Sequence, residues 1–292
     1  MKIAVSSYSY HQRIKKGEMT QLDAVRVAAD MGFEGIEFTD LAPVPNPTLA
    51  EQLAYAKEIR AEAERCGIEI VGYMIGANLY GGSVEADAAE VARVKGQLDV
   101  AAVLGAKILR HDVCSTERIG DRFVGFERML PTMAANARQN TVYAQTLGIR
   151  TCSENHGRVV QDRDRVERLY YAVDHENYGL LVDMGNFACA DEDSLLAVSR
   201  LAPQAIHAHA KDFVKIPYGT PVAEGLKTFM TRGCNQLMGC ALGDGDIPVA
   251  QCVAILQKAN YDAYITIEFE GNGDCMTEIT KGLERLRQYI QV

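Results

Sequence analysis

The stretch AERCGIEIVGY, residues 63–73, carries the organising pattern of the chain. Residues up to Cys66 follow a helical pattern, Gly67 stops it, and an apolar run begins at once. Glycine just past a helix end takes the left-handed conformation that terminates the helix. Short, partly continuous apolar runs are typical of strands in a buried parallel sheet. The same junction recurs at AADMGFEGIEF around Gly32, AAVLGAKILRH around Gly105 and AQTLGIRTCSE around Gly148. These glycines are spaced 35 to 43 residues apart. KIAVSSY at residues 2–8 precedes the series, and ENYGLLVDMG, QAIHAHAKD and ANYDAYITIEFEG continue it. The pattern predicts eight strands, at about 2–8, 33–39, 68–75, 107–113, 149–155, 179–184, 205–211 and 263–270.

Helix starts punctuate the same units. Asn46-Pro47 reads as a cap and first-turn proline, Asp162 precedes RDRVERLYYAV, and Asp246 stands just before IPVAQCVAILQKA. Eight strand–helix units within 292 residues fit a (β/α)8 TIM barrel, an α/β fold, as a single domain over 1–292. A doubly wound sheet is the alternative, but no G-x-G-x-x-G loop follows an early strand. One unit departs from the beat. From Phe213 to Gly245 the seventh strand is separated from its helix by a long insertion, where two to six residues are usual. It reads as a lid over the active face or as a subunit contact.

Composition narrows the function. The chain is 48% hydrophobic and 24% charged, with a formal charge of −9. An acidic balance disfavours nucleic acid or an anionic membrane as partner. No apolar run approaches the length of a membrane span, and MKIAVSSYSYHQR lacks the apolar core of a signal peptide. The eight cysteines are scattered without a C-x-x-C pair, as reduced core thiols of a cytoplasmic protein would be.

Such barrels carry their chemistry where the strands end. In YITIEFEG, residues 264–271, alternation puts Ile265, Ile267 and Phe269 on one face and Thr266, Glu268 and Glu270 on the other. A carboxylate in that position calls for a partner or a metal. The other strand ends supply candidates: Ser7, Tyr8 and Tyr10; Glu37 and Asp40; Tyr73 and Met74; Arg110, His111 and Asp112; Glu154, Asn155 and His156; Asp183 and Asn186; His207, His209, Lys211 and Asp212. Glu154, Asp183, His209 and Glu268 can converge on one divalent cation, with Glu270 as the alternative to Glu268. Three carboxylates and one imidazole favour Mn²⁺ or Mg²⁺ and admit Co²⁺, Fe²⁺ or Zn²⁺.

SENHG, VDMGN, HAHAKD and IEFEG, in this order at strand ends, resemble the sugar-phosphate isomerase/epimerase superfamily, the xylose-isomerase-like barrels. That group includes ketose 3-epimerases, inosose dehydratases and hydroxypyruvate isomerases. The resemblance implies that Glu154, Asp183, His209 and Glu268 bind the metal and that the two glutamates also move protons. The implied reaction abstracts a proton beside a carbonyl of a sugar, keto-sugar or polyol, through a metal-stabilised enediolate. Returning the proton elsewhere isomerises or epimerises; expelling a β-substituent makes the enzyme a lyase. Asn186 stands where ketose 3-epimerases carry histidine, and Lys215 where they carry arginine. His156, two residues after Glu154, is similar to the pattern of C-glycoside deglycosidase barrel subunits, which act on 3-oxo-sugars with a second, different subunit. Endonuclease IV relatives use more histidines, a pattern that Asn186 breaks. The expected substrate contacts are Glu37, His111, Asn186, Lys211, Lys215 and Tyr8, with His156 as a further catalytic group. Glu37 equally suits a bracing role, and Tyr8 a wall. The expected partners are a small sugar or polyol and further copies of the chain, with a barrel that merely binds a sugar as the non-enzyme alternative.

Overall fold

A computed structural model describes residues 1–291. Eight parallel strands close into a barrel: β1 (Lys2–Ser6), β2 (Gly35–Thr39), β3 (Glu69–Ile75), β4 (Ile108–His111), β5 (Arg150–Glu154), β6 (Tyr178–Asp183), β7 (Ala205–Ala210) and β8 (Tyr264–Ile267). Each strand pairs with the next in sequence, and β8 closes on β1 with Ala4 opposite Thr266 and Val5 opposite Ile267. Outward-facing Ile3, Val5, Ile36 and Leu109 bury against the helices. The barrel interior is partly polar. Met74, Cys152 and Leu181 fill it as a small apolar cluster, and Glu37, His207 and Thr266 share it with them.

The glycine junctions behave as the pattern predicts. Gly67 and Gly105 cap the helices Leu49–Cys66 and Val84–Leu104 in the left-handed conformation. Three expectations are corrected. The helix after β2 starts at Leu49, because Thr48 and Glu51 form a reciprocal capping box that Asn46-Pro47 cannot match. Asp246 does not cap its helix; its carboxylate accepts from the backbone N–H of Lys215 (2.7 Å), and Val249–Lys258 follows Pro248. β8 ends at Ile267 rather than 270, because Phe269 N–H turns to Ser9 Oγ (2.9 Å). Asp162 does cap Arg163–Val173, accepting from Arg165 N–H at 3.0 Å.

The insertion is a small antiparallel sheet rather than a loop. Asp212–Ile216 pairs with Gln236–Cys240, which pairs with Phe229–Met230. A short hairpin at Arg118–Ile119 and Arg122–Phe123 follows β4. Among the described residues, no helix is long and apolar enough to cross a membrane.

Candidate metal centre

Four strand ends meet at the C-terminal mouth of the barrel. Glu154 ends β5, Asp183 ends β6, His209 lies in β7, and Glu268 follows β8. Their ligand atoms all lie within 4.8 Å of one another, and all four side chains are buried. His209 Nδ1 is 3.8 Å from Glu154 Oε1, 3.7 Å from Asp183 Oδ2 and 3.6 Å from Glu268 Oε2.

The local chain explains this convergence. Asp183 Oδ1 accepts the backbone N–H groups of Gly185 (2.7 Å) and Asn186 (2.9 Å), which leaves Oδ2 facing the cluster. Gly185 makes the turn possible: a Cβ there would stand 2.9 Å from the carbonyl oxygen of Lys211. Asn155 clamps the Asp183 backbone through both its amide atoms, each at 2.9 Å. Glu154 is held from two sides, by Asn186 Nδ2 (2.8 Å to Oε1) and Arg110 Nε (2.6 Å to Oε2). Lys211 Nζ reaches Glu268 (2.5 Å), Glu270 (3.0 Å) and Asp183 (3.2 Å).

Beneath the cluster, Glu37 lies between two histidines, hydrogen-bonded to one and in charge contact with the other. Oε2 is 2.7 Å from His207 Nε2, and Oε1 is 2.8 Å from His209 Nε2. The Glu37 contact at Nε2 turns Nδ1 of His209 toward the three carboxylates, the arrangement by which a buried carboxylate fixes a ligating imidazole. Burial opposes ionisation of Glu37, but the two histidines outweigh it and hold the carboxyl well below its usual range. Burial likewise opposes ionisation of Asp183, and Lys211 and His209 reverse the balance.

A divalent cation fits these residues. His209 Nδ1 is buried without a hydrogen-bond partner, and Asp183 Oδ2 meets the Lys211 ammonium at 3.2 Å. The surroundings hold Glu37, Asp112, Glu154, Asp183, Glu268 and Glu270 against the permanent cations Arg110 and Lys211. Such an excess of buried negative charge is costly unless a cation joins it.

The other sequence-derived candidates scatter by strand alternation. Asn186 and Lys211 belong to the cluster. Glu37 lies below it, sealed from any substrate and bracing a ligand instead. His156 stands at the rim; its Nδ1 is 2.8 Å from Asp112 Oδ1, and 43% of its side chain is exposed. His111 is corrected: Arg110 faces the barrel interior, so the next residue faces out, where His111 is fully buried beside Tyr178. Lys215 is also corrected. It is exposed and lines a separate cavity with Asp191, Thr231 and Asn235, because the insertion sheet carries it away from the mouth. Tyr8 lines a cavity beside β1 and β2.

Sequence reasoning undervalued Arg110 and Asp112, which it placed among the strand-end candidates without a role. Arg110 bonds Glu154 as well as Asp112, and their i, i+2 spacing with the inward face of β4 is the signal that could have shown it. The aromatic pair Phe213 and Phe229 was also missed. With Met230, His156, Asn186 and Glu270 it lines a cavity of about 210 Å³ at the mouth.

The model of the family described as "Xylose isomerase-like TIM barrel" matches residues 25–289. The chain belongs to this family. Among curated proteins, inosose dehydratase of Clostridium perfringens is 24% identical over 171 residues, 58% of this chain and 57% of that protein. The chain thus spans little more than half the length of that relative. The structure of D-psicose 3-epimerase in the presence of D-fructose superposes with a TM-score of 0.74 at 17% identity, over all of both chains. The IolI protein with a bound zinc atom gives 0.73 at 14% identity, over 100% of this chain and 98% of that one. At these identities the structural likeness establishes the barrel fold. Beyond the family, the curated match makes this chain similar to inosose dehydratase over those 171 residues.

Proposed function

We propose that this chain is a metal-dependent isomerase or epimerase acting on a sugar, keto-sugar or polyol derivative by proton transfer at a carbon beside a carbonyl. The observation that carries the reading is the buried convergence of Glu154, Asp183, His209 and Glu268, with His209 Nδ1 lacking a hydrogen-bond partner. The oxygen-rich donor set favours Mn²⁺, with Mg²⁺, Co²⁺, Fe²⁺ and Zn²⁺ also compatible. A divalent ion bound there supplies Lewis acidity toward neighbouring substrate oxygens.

The chain's own groups do the rest. Glu154 and Glu268 approach from β5 and β8, on different sides of His209, as a base and an acid require. Arg110 and Asn186 fix the orientation of Glu154. Asn186, Phe213 and Phe229 line the mouth cavity where a substrate would lie, and Lys211 stands behind Asn186, donating to its Oδ1. A proton taken from carbon leaves an enediolate, and its return to another carbon or the opposite face completes isomerisation or epimerisation.

The His156–Asp112 pair favours a second reading, elimination. Asp112 holds His156 at the rim, and although burial opposes it, the contact raises the imidazole's affinity for a proton above the ordinary. A protonated His156 can deliver that proton to a departing hydroxyl as the enediolate electrons form the new double bond, releasing water. The match to inosose dehydratase supports the same alternative.

Turnover in D₂O tests both readings. Isomerisation or epimerisation by proton transfer places deuterium at the reacting carbon, and dehydration gives a product lighter by one water. Glu268→Gln should lose orders of magnitude in rate, with metal content measured in parallel. His156→Ala should cost about 10²-fold or more only in the elimination reading. Product without solvent deuterium and without loss of water contradicts the proposal.

A further inference from the structure

The mouth of the barrel opens beside a second cavity, of about 490 Å³, at the ends of β1 and β2. Its walls include Tyr8, Ile14, Met19, Pro43 and Tyr55. It is the largest of the cavities described and is not needed by any metal ligand. Two features join it to the metal centre. Ser9 Oγ donates to the carbonyl of Ile267 (3.0 Å) and accepts from Phe269 N–H (2.9 Å), and Gln12 Nε2 donates to the carbonyl of Gly271 (2.9 Å). The segment that walls the cavity is therefore stitched to the segment that carries Glu268 and Glu270. On the β2 side, Asp40 lines the cavity with a positive φ of 36°, and Gln21 Nε2 holds its carbonyl and that of Thr39 at 3.2 and 3.1 Å. Strained backbone of this kind collects at functional sites.

The lining speaks for an aromatic occupant. Tyr8 is backed by His11, with ring centroids 4.8 Å apart and planes inclined by 15°, so it forms a rigid flat wall. Tyr55 supplies a second ring, and Met19 a polarizable thioether. A free sugar would leave this surface wet. Burial and the nearby Glu270 carboxylate push the Tyr8 hydroxyl up to about 12, so it stays a neutral donor between the two spaces.

Resting on the reading of the mouth as the seat of a sugar or polyol, we propose that the Tyr8–Tyr55 cavity is a subsite for an aryl substituent attached to that ring, so that the substrates are aryl-substituted sugar derivatives. Sugar hydroxyls meet Lys211, Asn186 and the carboxylates, and the aryl group lies between the tyrosines.

Calorimetric titration of the Mn²⁺-loaded full chain with phenyl β-D-glucoside and with methyl β-D-glucoside tests this. The phenyl compound should bind about tenfold tighter, and Tyr55→Ala and Ile14→Gln should each remove most of that advantage while thermal melting stays unchanged. Equal affinity for the two compounds, undetectable binding of the phenyl compound, or an advantage that survives both substitutions overturns the proposal. The two ideas fail separately. An aryl preference lost in Tyr55→Ala sustains the subsite even where no substrate turns over. Deuterium uptake into free sugars with no aryl preference sustains the functional reading and ends this one.

Discussion

Glu37 is the residue on which the proposed metal centre rests, fully buried beneath it. Its Oε1 lies against His209 Nε2 and its Oε2 against His207 Nε2, which also lies 3.1 Å from Thr266 Oγ1. Glu37→Gln keeps the shape but offers an amide where the histidines need a carboxylate. Cation affinity should fall about 10–100-fold in a competition titration with a chelating dye, the usual effect of losing such a partner; an unchanged affinity would remove Glu37 from the site. Asp183→Asn and His209→Ala should empty the centre outright, read as metal per chain. The convergence of Glu154, Asp183 and Glu268 was legible in the sequence because these carboxylates end apolar strands, where a lone charge is costly. His111 misled for the same reason. LRHD places polar groups on both faces of one strand, and only the distant Glu154 decides that Arg110 faces in.

The insertion is bolted to the barrel by carboxylates at both ends. Asp212 accepts four backbone N–H groups, from Phe213 (2.8 Å), Gly243 (2.7 Å), Gly245 (3.0 Å) and Ile247 (3.0 Å), and so gathers the two roots of the insertion. At the far turn, Asp191 accepts from Gly233 N–H (2.5 Å) and Asn235 Nδ2 (2.8 Å), and Asp162 pairs with Arg232 (2.5 Å). Burial works against ionisation of Asp162 and Asp191, yet their partners hold both below the ordinary carboxylate range. Carboxylates depressed in the folded state contribute their stabilisation above the unfolded value, near pH 4, and lose it as pH falls through the folded value. The turn Thr231–Asn235 should therefore loosen below about pH 4 while the barrel strands hold, visible as early hydrogen exchange or protease cleavage there. Simultaneous loss of turn and barrel would contradict the anchoring. If this sheet closes the mouth, Arg232→Ala should impair turnover more than melting temperature; normal kinetics would make the sheet scaffold. The sequence showed the insertion's length but not its strands. Phe229 pairs with Leu237 across a polar turn, and neither run alternates long enough to announce itself.

At the scale of the whole molecule, the eightfold beat was legible because most helices end at a glycine, or at left-handed Asp174 or Asn260, before a buried strand. The closure of β8 on β1 could not be read locally, since it joins the two extremes of the sequence. Concentrated negative charge at the mouth should make stability depend on the cation. Mn²⁺ at about 100 times its Kd should add about 2.7 kcal/mol. For a chain of this size that is a rise in Tm of roughly 4 °C. Asp183→Asn should show no rise, and an equal rise in both would point to binding elsewhere.

Ser9 bridges the carbonyl of Ile267 and the N–H of Phe269 across 258 and 260 residues of sequence, beside the position of Glu268. The proposed fourth ligand, Glu268, is thus positioned by the seam that joins the two ends of the chain. Metal capture then marks a moment in assembly: in a refolding experiment, retention of the ion follows the zipping of first strand to last, and an unsealed barrel with Glu154, Asp183 and His209 already in place holds its cation only loosely.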